Sequence, residues 1–362
     1  MSFNNLPIYR KAIYKLIDLE YDCDWYVEDR NMNVKTFDET ELKRVTKLSI
    51  LKIGGFYWEK GLLSLLFKDY DIYFILGSTR NISLFLFCFL KKIFQRRKKI
   101  YFWTHGFYGK ESKAELLFWK RPLFRMPDGL FTYGDYAKKI MVEDGFDEKR
   151  IFPIHNSLDY DTQLALRKNL KPSNFYNKHF GNGNPVIIFI GRLTKIKQLD
   201  MLIDAVTLLK KKGEQYNIVL VGDGTERAML EDKVRKGGLT DHVWFYGACY
   251  DEKDNAELVY NADLCVAPGN IGLTAMHVMM FGCPAVSHDN YSLQMPEFEA
   301  IRPNETGVFY KYGSVQSLAE TISKWFACHS NDREAVRKAC YKEIDTNWNP
   351  YYQIEMVKKN LK

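Results

Sequence analysis

The chain has 362 residues, of which 46% are hydrophobic, 15% aromatic and 27% charged. This composition excludes a disordered or low-complexity protein, and the length favours two domains over a single core. The net charge of +7 suits an anionic partner, although a mildly basic globular protein has the same balance. Seven cysteines without a C-x-x-C pair favour reduced thiols in a cytoplasmic protein over disulfides or a zinc site.

The first half of the chain predicts strands alternating with helices. "LPIYRKAIYKLIDLEYDCDWYVE" reads as a loop, a helix and a strand, and only "MSFNN" precedes it. Either the first strand of this half is abbreviated or the chain begins late. Further strands are predicted at "LSILKIGG", "IYFILGS", "KIYFWTHG", "GLFTYG" and "IFPIHNS".

The second half shows the same alternation more clearly. The predicted strands are "VIIFIG", "IVLVGDG", "VWFYG", "LCVAPG" and "AVSH", with helical patterns such as "LDMLIDAVTLLKKKG" between them. Strand–helix alternation predicts a parallel sheet covered on both faces, which binds ligands at the carboxyl ends of its strands. We therefore predict an α/β protein of two facing Rossmann-like domains, each a doubly wound parallel sheet, with an interdomain cleft.

The domain boundaries follow from composition. Residues 169–185, rich in Asn, Gly and Pro, predict an exposed linker. The N-terminal domain is expected over residues 1–168 and the C-terminal domain over residues 186–345. A final helix at 346–362 is expected to pack back on the N-terminal domain.

Arg192 and Lys197 follow the strand "VIIFIG", where the cleft is expected. A guanidinium fork and a mobile ammonium together suit a diphosphate. The alternative is a pair of solvated cations at the start of a helix.

The stretch "CVAPGNIGLTAMHVMMFGCPA" predicts a buried strand, a glycine turn and a helix that ends at Gly282. Gly272, Leu273 and Thr274 are expected to form the first turn of that helix, whose free amides favour a phosphate. An ordinary tight turn is the alternative.

These motifs resemble those of retaining glycosyltransferases of the GT-B fold, particularly glycosyltransferase family 4. In the second half, "GRLTKIK", "VGDGTER", "VWFYG", "NADLCVAPG", "GCP" and "MPEFEAIRPNETGVFY" occur in the family's order. The signals "PIYR", "THG" and "HNSLD" in the first half are weaker.

The resemblance implies transfer of a sugar from a nucleoside-diphosphate sugar with retention at the anomeric carbon. Arg192 and Lys197 would stabilise the leaving diphosphate in place of a metal, so no metal and no cofactor are expected. Two Asp-x-Asp pairs, Asp22/Asp24 and Asp159/Asp161, are interpreted as solvated loop acids. The implied donor-binding residues are Gly191, Gly222, Gly269, Asn270, Ile271, Gly272, Leu273, Thr274, His277 and Glu297.

The chain departs from the family at two glutamates. Gly269 stands where the family has the first, and His277 where it has the second, which contacts ribose. A carboxylate nucleophile at position 269 is therefore excluded, and front-face substitution remains. His277 is interpreted either as a hydrogen-bonding donor residue or as a packed helix residue.

Glu297, His105 and the pair Tyr9 and Arg10 are further candidates for the site. Glu297 is expected to orient the donor or to form a salt bridge on a loop. His105 is a candidate catalytic residue facing the donor, or a satisfied histidine in a turn. Tyr9 and Arg10 are candidate acceptor residues.

The basic and aromatic segments "KKIFQRRKK" and "KAELLFWKRPLFRM" suit an anionic membrane surface, although a buried helix ending in solvated lysines has the same pattern. The longest apolar run, "ISLFLFCFL", is too short to span a bilayer.

The sequence thus predicts a cytoplasmic glycosyltransferase, in peripheral contact with the membrane, that builds a surface polysaccharide such as a capsule on a glycan or lipid-linked acceptor. The alternative is a catalytically inactive sugar-nucleotide or glycan-binding protein of the same fold. Nucleic-acid binding is not expected, because no nucleic-acid motif is present and the basic residues are scattered.

Overall fold

The computed structural model describes residues 1–28, 36–329 and 331–361, and it divides the chain into two compact units. The N-terminal unit contains Met1–Asp159 and Asn349–Lys362, and the C-terminal unit contains Tyr160–Trp348. The boundary thus lies nine residues before the expected one. Residues 169–185 belong to the C-terminal unit, because the buried Tyr176 donates its hydroxyl proton to the Leu258 carbonyl at 2.8 Å.

The N-terminal unit is built on a seven-stranded sheet with the order β3-β2-β1-β6-β7-β8-β9, in which every pairing is parallel. The strands are β1 Ser2–Phe3, β2 Trp25–Glu28, β3 Val45–Leu48, β6 Ile72–Leu76, β7 Lys99–Thr104, β8 Gly129–Thr132 and β9 Ile151–Pro153. The first strand is only two residues long, but it lies in the middle of the sheet. Phe3 is buried there among aromatic rings, which fixes this short strand.

The segment "LSILKIGG" does not form a single strand of this sheet, contrary to the prediction. Strand β3 ends at Leu48, and the chain then forms an antiparallel hairpin of β4 (Ile50–Ile53) and β5 (Phe56–Glu59). Gly54, with φ +58°, provides the left-handed conformation at the hairpin turn.

Helices cover the N-terminal sheet. They are α1 Lys11–Glu20, α2 Ile82–Phe94, α3 Lys113–Glu115, a π-helix over Leu116–Lys120, α4 Arg121–Phe124, α5 Asp135–Glu143 and α14 Pro350–Asn360. Shorter 3-10 helices occur at Ile8–Arg10, Glu39–Glu41, Leu62–Phe67 and Glu148–Arg150. The last helix, α14, packs on α1 and β9. None of the described helices is long and apolar enough to cross a membrane.

The C-terminal unit contains a six-stranded parallel sheet with the order β12-β11-β10-β13-β14-β15. Its strands are β10 Val186–Ile190, β11 Asn217–Val221, β12 Val243–Gly247, β13 Leu264–Val266, β14 Ala285–His288 and β15 Gly307–Tyr310. The five predicted strands are present, and the segment "GVFY" adds a sixth.

Two helices of the C-terminal unit precede its first strand, four lie between its strands in the chain, and two follow its last strand. They are α6 Tyr160–Arg167, α7 Phe175–Phe180, α8 Leu199–Lys211, α9 Arg227–Lys236, α10 Glu252–Asn261, α11 Thr274–Met280, α12 Val315–His329 and α13 Arg333–Asn347. The 3-10 helices are Lys195–Lys197, Thr240–His242, Tyr291–Leu293 and Pro296–Ala300. Both units are therefore doubly wound α/β folds, as predicted.

Candidate functional sites

Two glycines bring the backbones of neighbouring strands close together at the carboxyl edge of the C-terminal sheet. Gly191 and Gly222 follow β10 and β11, and both have φ near +145°. A Cβ at Gly222 would lie 1.9 Å from the Gly191 carbonyl oxygen, so no side chain fits there. This part of the edge therefore presents backbone to a ligand.

Lys197 is a half-buried cation at this edge. It ends the 3-10 helix Lys195–Lys197, and its ammonium donates to the Asn270 carbonyl at 2.7 Å and to Asn270 Oδ1 at 2.9 Å. An ammonium has three N–H groups, so one remains for another acceptor. Burial, with a contribution from Arg192, lowers the pKa of Lys197 to about 8.

Two further predicted residues lie near this ammonium. Arg192 is exposed and close enough to lower the pKa of Lys197, and no ion pair of Arg192 occurs among the described residues. The buried Glu297, on the 3-10 helix Pro296–Ala300, acts in the opposite direction and raises that pKa. The structure thus brings Glu297 close to two cations that precede it by about a hundred residues.

Gly269 has no room for a side chain. A Cβ there would lie 2.0 Å from the Ile196 carbonyl oxygen, and the Gly269 amide already donates to the Lys197 carbonyl at 2.9 Å. A larger side chain at position 269 would require the segment that carries Lys197 to move.

The helix after this glycine begins at Thr274, later than predicted. Gly272 has φ +55°, which a right-handed helix cannot include, so Gly272 and Leu273 form the turn before it. The Ile271 amide donates to Gln294 Oε1 at 3.0 Å, and the Thr274 hydroxyl donates to the Ile190 carbonyl at 3.0 Å. The predicted phosphate-binding turn is thus a hydrogen-bonded loop, and the positive charge of the edge comes from side chains.

His277 pairs with a carboxylate that the sequence analysis missed. Its Nε2 lies 2.9 Å from Glu252 Oε1, and Glu252 also accepts from Gln163 Nε2 at 2.7 Å. His277 is therefore a hydrogen-bonded residue between helices rather than a purely packed one. Glu252 begins α10, and an acid at a helix start is too common a pattern to have indicated this pair.

The N-terminal unit has its own cavity of about 540 Å³ at the carboxyl edge of its sheet. It brings together three residues predicted from weak signals in separate segments, namely Tyr9, Arg10 and His105. Arg80 and Tyr133 also line it. The predicted acceptor residues and the predicted catalytic histidine of this unit therefore share one space.

His105 is held neutral by its surroundings. Burial, together with the charges of Arg10 and Lys120, lowers the pKa of His105 to about 3. Its ring packs on Tyr133 with centroids 4.5 Å apart and on Tyr108 at 5.7 Å. Within the described part of the chain, His105 Nδ1 is buried and makes no hydrogen bond, so the interpretation of a fully satisfied histidine is wrong for that nitrogen.

A buried ion pair supports the loop after His105. Lys120 donates to Glu111 Oε1 at 2.5 Å and to the Gly106 carbonyl at 3.2 Å. Burial opposes the charge of Glu111, but the hydrogen bond from Lys120 holds its pKa below the ordinary value. The sequence reading had assigned Lys120 only to a basic, aromatic segment.

The two Asp-x-Asp pairs are surface acids. Asp22 and Asp24 both pair with Arg44. Asp159 and Asp161 are exposed. Asp24 differs from the other three, because it is half-buried and its carboxylate also accepts from the Tyr70 hydroxyl.

Comparison with known proteins relates this architecture to a protein family. Residues 172–343, nearly all of the C-terminal unit, match the sequence model of the family described as "Glycosyl transferases group 1". The C-terminal unit is a group 1 glycosyltransferase domain. The chain as a whole is GT-B-like and resembles glycosyltransferase family 4.

Two curated relatives of this chain show the range of similarity. The putative glycosyltransferase EpsD of Bacillus subtilis (strain 168) is 27% identical over 241 residues, 63% of this chain and 60% of the relative. The 2-deoxystreptamine glucosyltransferase of Streptomyces kanamyceticus is 33% identical over 213 residues, 57% of this chain and 53% of the relative. The match thus spans between half and two thirds of each relative's length.

Solved structures match the chain over almost its whole length. Anabaena Alr3699/HepE in complex with UDP has a TM-score of 0.72 at 17% identity, covering 99% of this chain and 98% of that chain. The apo lipopolysaccharide outer core galactosyltransferase WaaB has a TM-score of 0.72 at 14% identity, with coverage of 99% and 98%. At these identities the likeness establishes the fold.

Proposed function

We propose that the protein transfers a sugar from a nucleoside-diphosphate sugar to a glycan or lipid-linked glycan acceptor during surface polysaccharide biosynthesis. The observation that carries the proposal is the half-buried Lys197 ammonium beside Arg192 at the carboxyl edge of a group 1 glycosyltransferase domain. Two cations at a glycine-lined strand edge suit a diphosphate. Because the Anabaena structures contain UDP and UDP-glucose, a UDP-sugar is the first donor to test.

The proposed mechanism is retaining front-face substitution without a metal. The bond between the anomeric carbon and the diphosphate oxygen breaks while the acceptor hydroxyl oxygen bonds to the same face of that carbon. The hydroxyl proton passes to an oxygen of the leaving diphosphate. Arg192 and Lys197 stabilise the charge that develops on that diphosphate. The absence of room for a side chain at Gly269 supports this route over a carboxylate nucleophile there.

The experiment is a transfer assay with single variants, after thermal-shift screening with UDP-, GDP-, ADP- and CMP-sugars has identified the donor. Arg192→Ala should lower the transfer rate by about 100-fold, as loss of one transition-state donor typically does. Its melting temperature should hardly change, because Arg192 is exposed. Lys197→Ala should also lower the rate, but with some loss of stability, since Lys197 holds Asn270.

Lys195→Ala is the matched control, an exposed lysine on the same 3-10 helix. It should leave the transfer rate unchanged. Excess EDTA should also leave the transfer rate of the wild type unchanged. Activity that is lost in EDTA and restored by manganese would contradict the metal-free mechanism. Unchanged turnover in Arg192→Ala would refute the role of that residue.

The steric block at Gly269 favours one alternative function, a catalytically inactive sugar-nucleotide-binding protein. Such a protein would bind a nucleotide in the thermal-shift screen but transfer no sugar to any acceptor. Arg192→Ala would then weaken nucleotide binding without a catalytic effect.

We further propose that the protein is cytoplasmic and contacts an anionic membrane surface peripherally through its N-terminal unit. Helix α2 exposes Leu86, Phe89, Ile93 and Phe94, and the π-helix exposes Leu117, Phe118 and Trp119. The two elements touch, because the Phe85 and Trp119 rings lie 6.3 Å apart. Exposed basic residues follow α2 at Arg96 and Arg97. Apolar side chains beside cations suit anionic lipid.

A further inference from the structure

Buried polar atoms without hydrogen-bond partners cluster around one arginine of the N-terminal unit. In the described part of the chain these atoms are Arg10 Nε, Tyr14 Oη, Trp103 Nε1, His105 Nδ1 and Tyr133 Oη. Buried polar groups in folded proteins are nearly always paired, because leaving one unpaired costs about 1–3 kcal/mol. Several such atoms around one point therefore require an explanation.

The five residues are contiguous. The Arg10 guanidinium lies 4.8 Å from the Tyr133 ring centroid and 5.5 Å from that of Trp103. The Tyr14 and Trp103 rings are 6.3 Å apart, and the His105 and Tyr133 rings 4.5 Å. Arg10, His105 and Tyr133 line the cavity of about 540 Å³.

The unpaired groups are mainly donors. Arg10 Nε and Trp103 Nε1 can only donate. Burial raises the pKa of Tyr14 and of Tyr133, so both phenols keep the proton that they can donate. A ligand that satisfies this cluster must accept hydrogen bonds.

The charge of Arg10 is not balanced by a carboxylate in the described part of the chain. Arg10 is only 8% exposed, and its neighbours are the rings of Tyr9, Trp103 and Tyr133 and the neutral phenols of Tyr14 and Tyr133, none of which is a carboxylate. The other buried cation of the cavity, Lys120, is paired with Glu111, and Glu115 on the lining lies 3.8 Å from Lys120. Arg80 also lines the cavity, and no ion pair of Arg80 occurs among the described residues. A buried charge normally has a partner of opposite sign.

We propose that this cavity binds an anionic group, a phosphate or a carboxylate, that the sugar acceptor carries. Arg10 is the main charge partner, the hydroxyl of Tyr133 donates to the same group, and Arg80 contributes from the lining. The assignment of the anion to a sugar acceptor depends on the proposed transferase function. The anion site itself is inferred only from residues of the N-terminal unit. Arg10 is a binding residue in this scheme, and it takes no part in breaking or forming bonds.

The experiment measures the thermal unfolding of the full chain in inorganic phosphate and, separately, in glucuronate, with sodium chloride holding the ionic strength constant. It uses the Arg192→Ala/Lys197→Ala double variant as background, so that phosphate cannot act through the proposed donor site. At least one anion should raise the melting temperature in a saturable way, since binding to the folded state stabilises it by mass action. The more effective anion identifies phosphate or carboxylate as the group recognised.

Arg10→Met in this background should abolish the stabilisation. Without added anion it should melt at the same temperature or higher, because it removes a buried charge and keeps an apolar contact with Trp103. Arg125→Met is the matched control, an exposed guanidinium 5.4 Å from the Phe146 ring, and it should retain the anion effect. Tyr133→Phe, which preserves volume, should weaken the apparent anion affinity at least threefold even if Arg10→Met does not fold.

Stabilisation that is absent for both anions, or that survives Arg10→Met, would overturn the proposal. The proposed transferase function is tested separately, because nucleotide stabilisation measured with Arg192 and Lys197 intact does not depend on Arg10. An Arg10→Met chain that still binds the nucleotide but has lost the anion effect would support both conclusions.

Discussion

Lys197 is held in place by the fold, and it is also the central residue of the proposed diphosphate site. Two of its N–H groups hold Asn270, and burial makes its charge costly in the free protein, which lowers its pKa to about 8. A bound diphosphate would compensate that charge and raise the pKa again. Binding and protonation of Lys197 are therefore coupled.

This coupling predicts that nucleoside-diphosphate affinity depends on pH. Below pH 8 Lys197 is already protonated in the free protein, so the affinity should be constant with respect to this group. Above pH 8 binding must take up a proton, and the affinity should fall by up to about tenfold per pH unit. Isothermal titration of UDP between pH 7 and pH 9.5 measures the change.

Lys197→Arg is the control for this prediction, because arginine stays charged throughout that range. The titration of the nucleotide itself affects both proteins equally, so it cancels when their UDP affinities are compared at each pH. Parallel pH profiles for the wild type and Lys197→Arg would contradict the coupling.

The sequence predicts which residues lie at the carboxyl edge of the C-terminal sheet, but it does not predict which residues contact them. Gly191, Gly222 and Lys197 were predicted because glycine turns and a basic residue after a strand are local patterns. The contact that excludes a side chain at Gly269 comes from Ile196, more than seventy residues earlier in the chain. The partner of His277 is Glu252, which no local spacing connects to it.

At the scale of elements, the hydrophobic patterns predict where helices form, but they do not predict which helix faces are buried and which are exposed. Helix α2 was predicted from "ISLFLFCFL", yet a buried helix and a surface helix read alike at that composition. The structure separates the two faces, because Leu84 and Phe87 are buried while Phe89 is 56% exposed. The hairpin β4–β5 was missed because its first strand follows β3 with only Ser49 between them.

The exposed faces of α2 and the π-helix predict binding to anionic vesicles. Phe89→Ser with Phe118→Ser, two side chains that are 56% and 65% exposed, should weaken binding by about tenfold, or ~1.4 kcal/mol of lost apolar burial. Cosedimentation with phosphatidylglycerol vesicles measures the affinity, and binding to neutral phosphatidylcholine vesicles should be weaker.

The control is Leu19→Ser on α1, whose side chain is 72% exposed on a different element of the same unit. It should bind vesicles like the wild type. Equal losses in both proteins, or no binding by the wild type, would argue against this membrane face.

At the scale of the whole molecule, the two doubly wound sheets follow from the alternation of strands and helices, which is a property of the entire sequence. The unit boundary at Tyr160 could not be predicted, because composition marks residues 169–185 as polar although Tyr176 anchors them. The cavity of the N-terminal unit was equally beyond the sequence, since it depends on Arg10, His105 and Tyr133 meeting from three separate segments.

Each unit also contains a histidine that is held neutral, which predicts a loss of stability in acid. Burial lowers the pKa of His105 to about 3 and that of His288 to about 4, whereas both would titrate near 6.5 in the unfolded chain. The unfolded state therefore binds more protons below pH 6.5, so the free energy of unfolding should fall as the pH falls. Each histidine contributes at most ~1.4 kcal/mol per pH unit until its folded pKa is reached.

Thermal unfolding between pH 8 and pH 4 measures this loss, with His105→Gln/His288→Gln as the comparison. The double variant cannot gain those protons on unfolding, so its melting temperature should fall less steeply below pH 6.5. Above pH 6.5 the slopes of the two proteins should agree, because neither histidine is protonated in either state there. An equal acid slope in both proteins would show that other groups control the acid sensitivity and that these two histidines titrate normally.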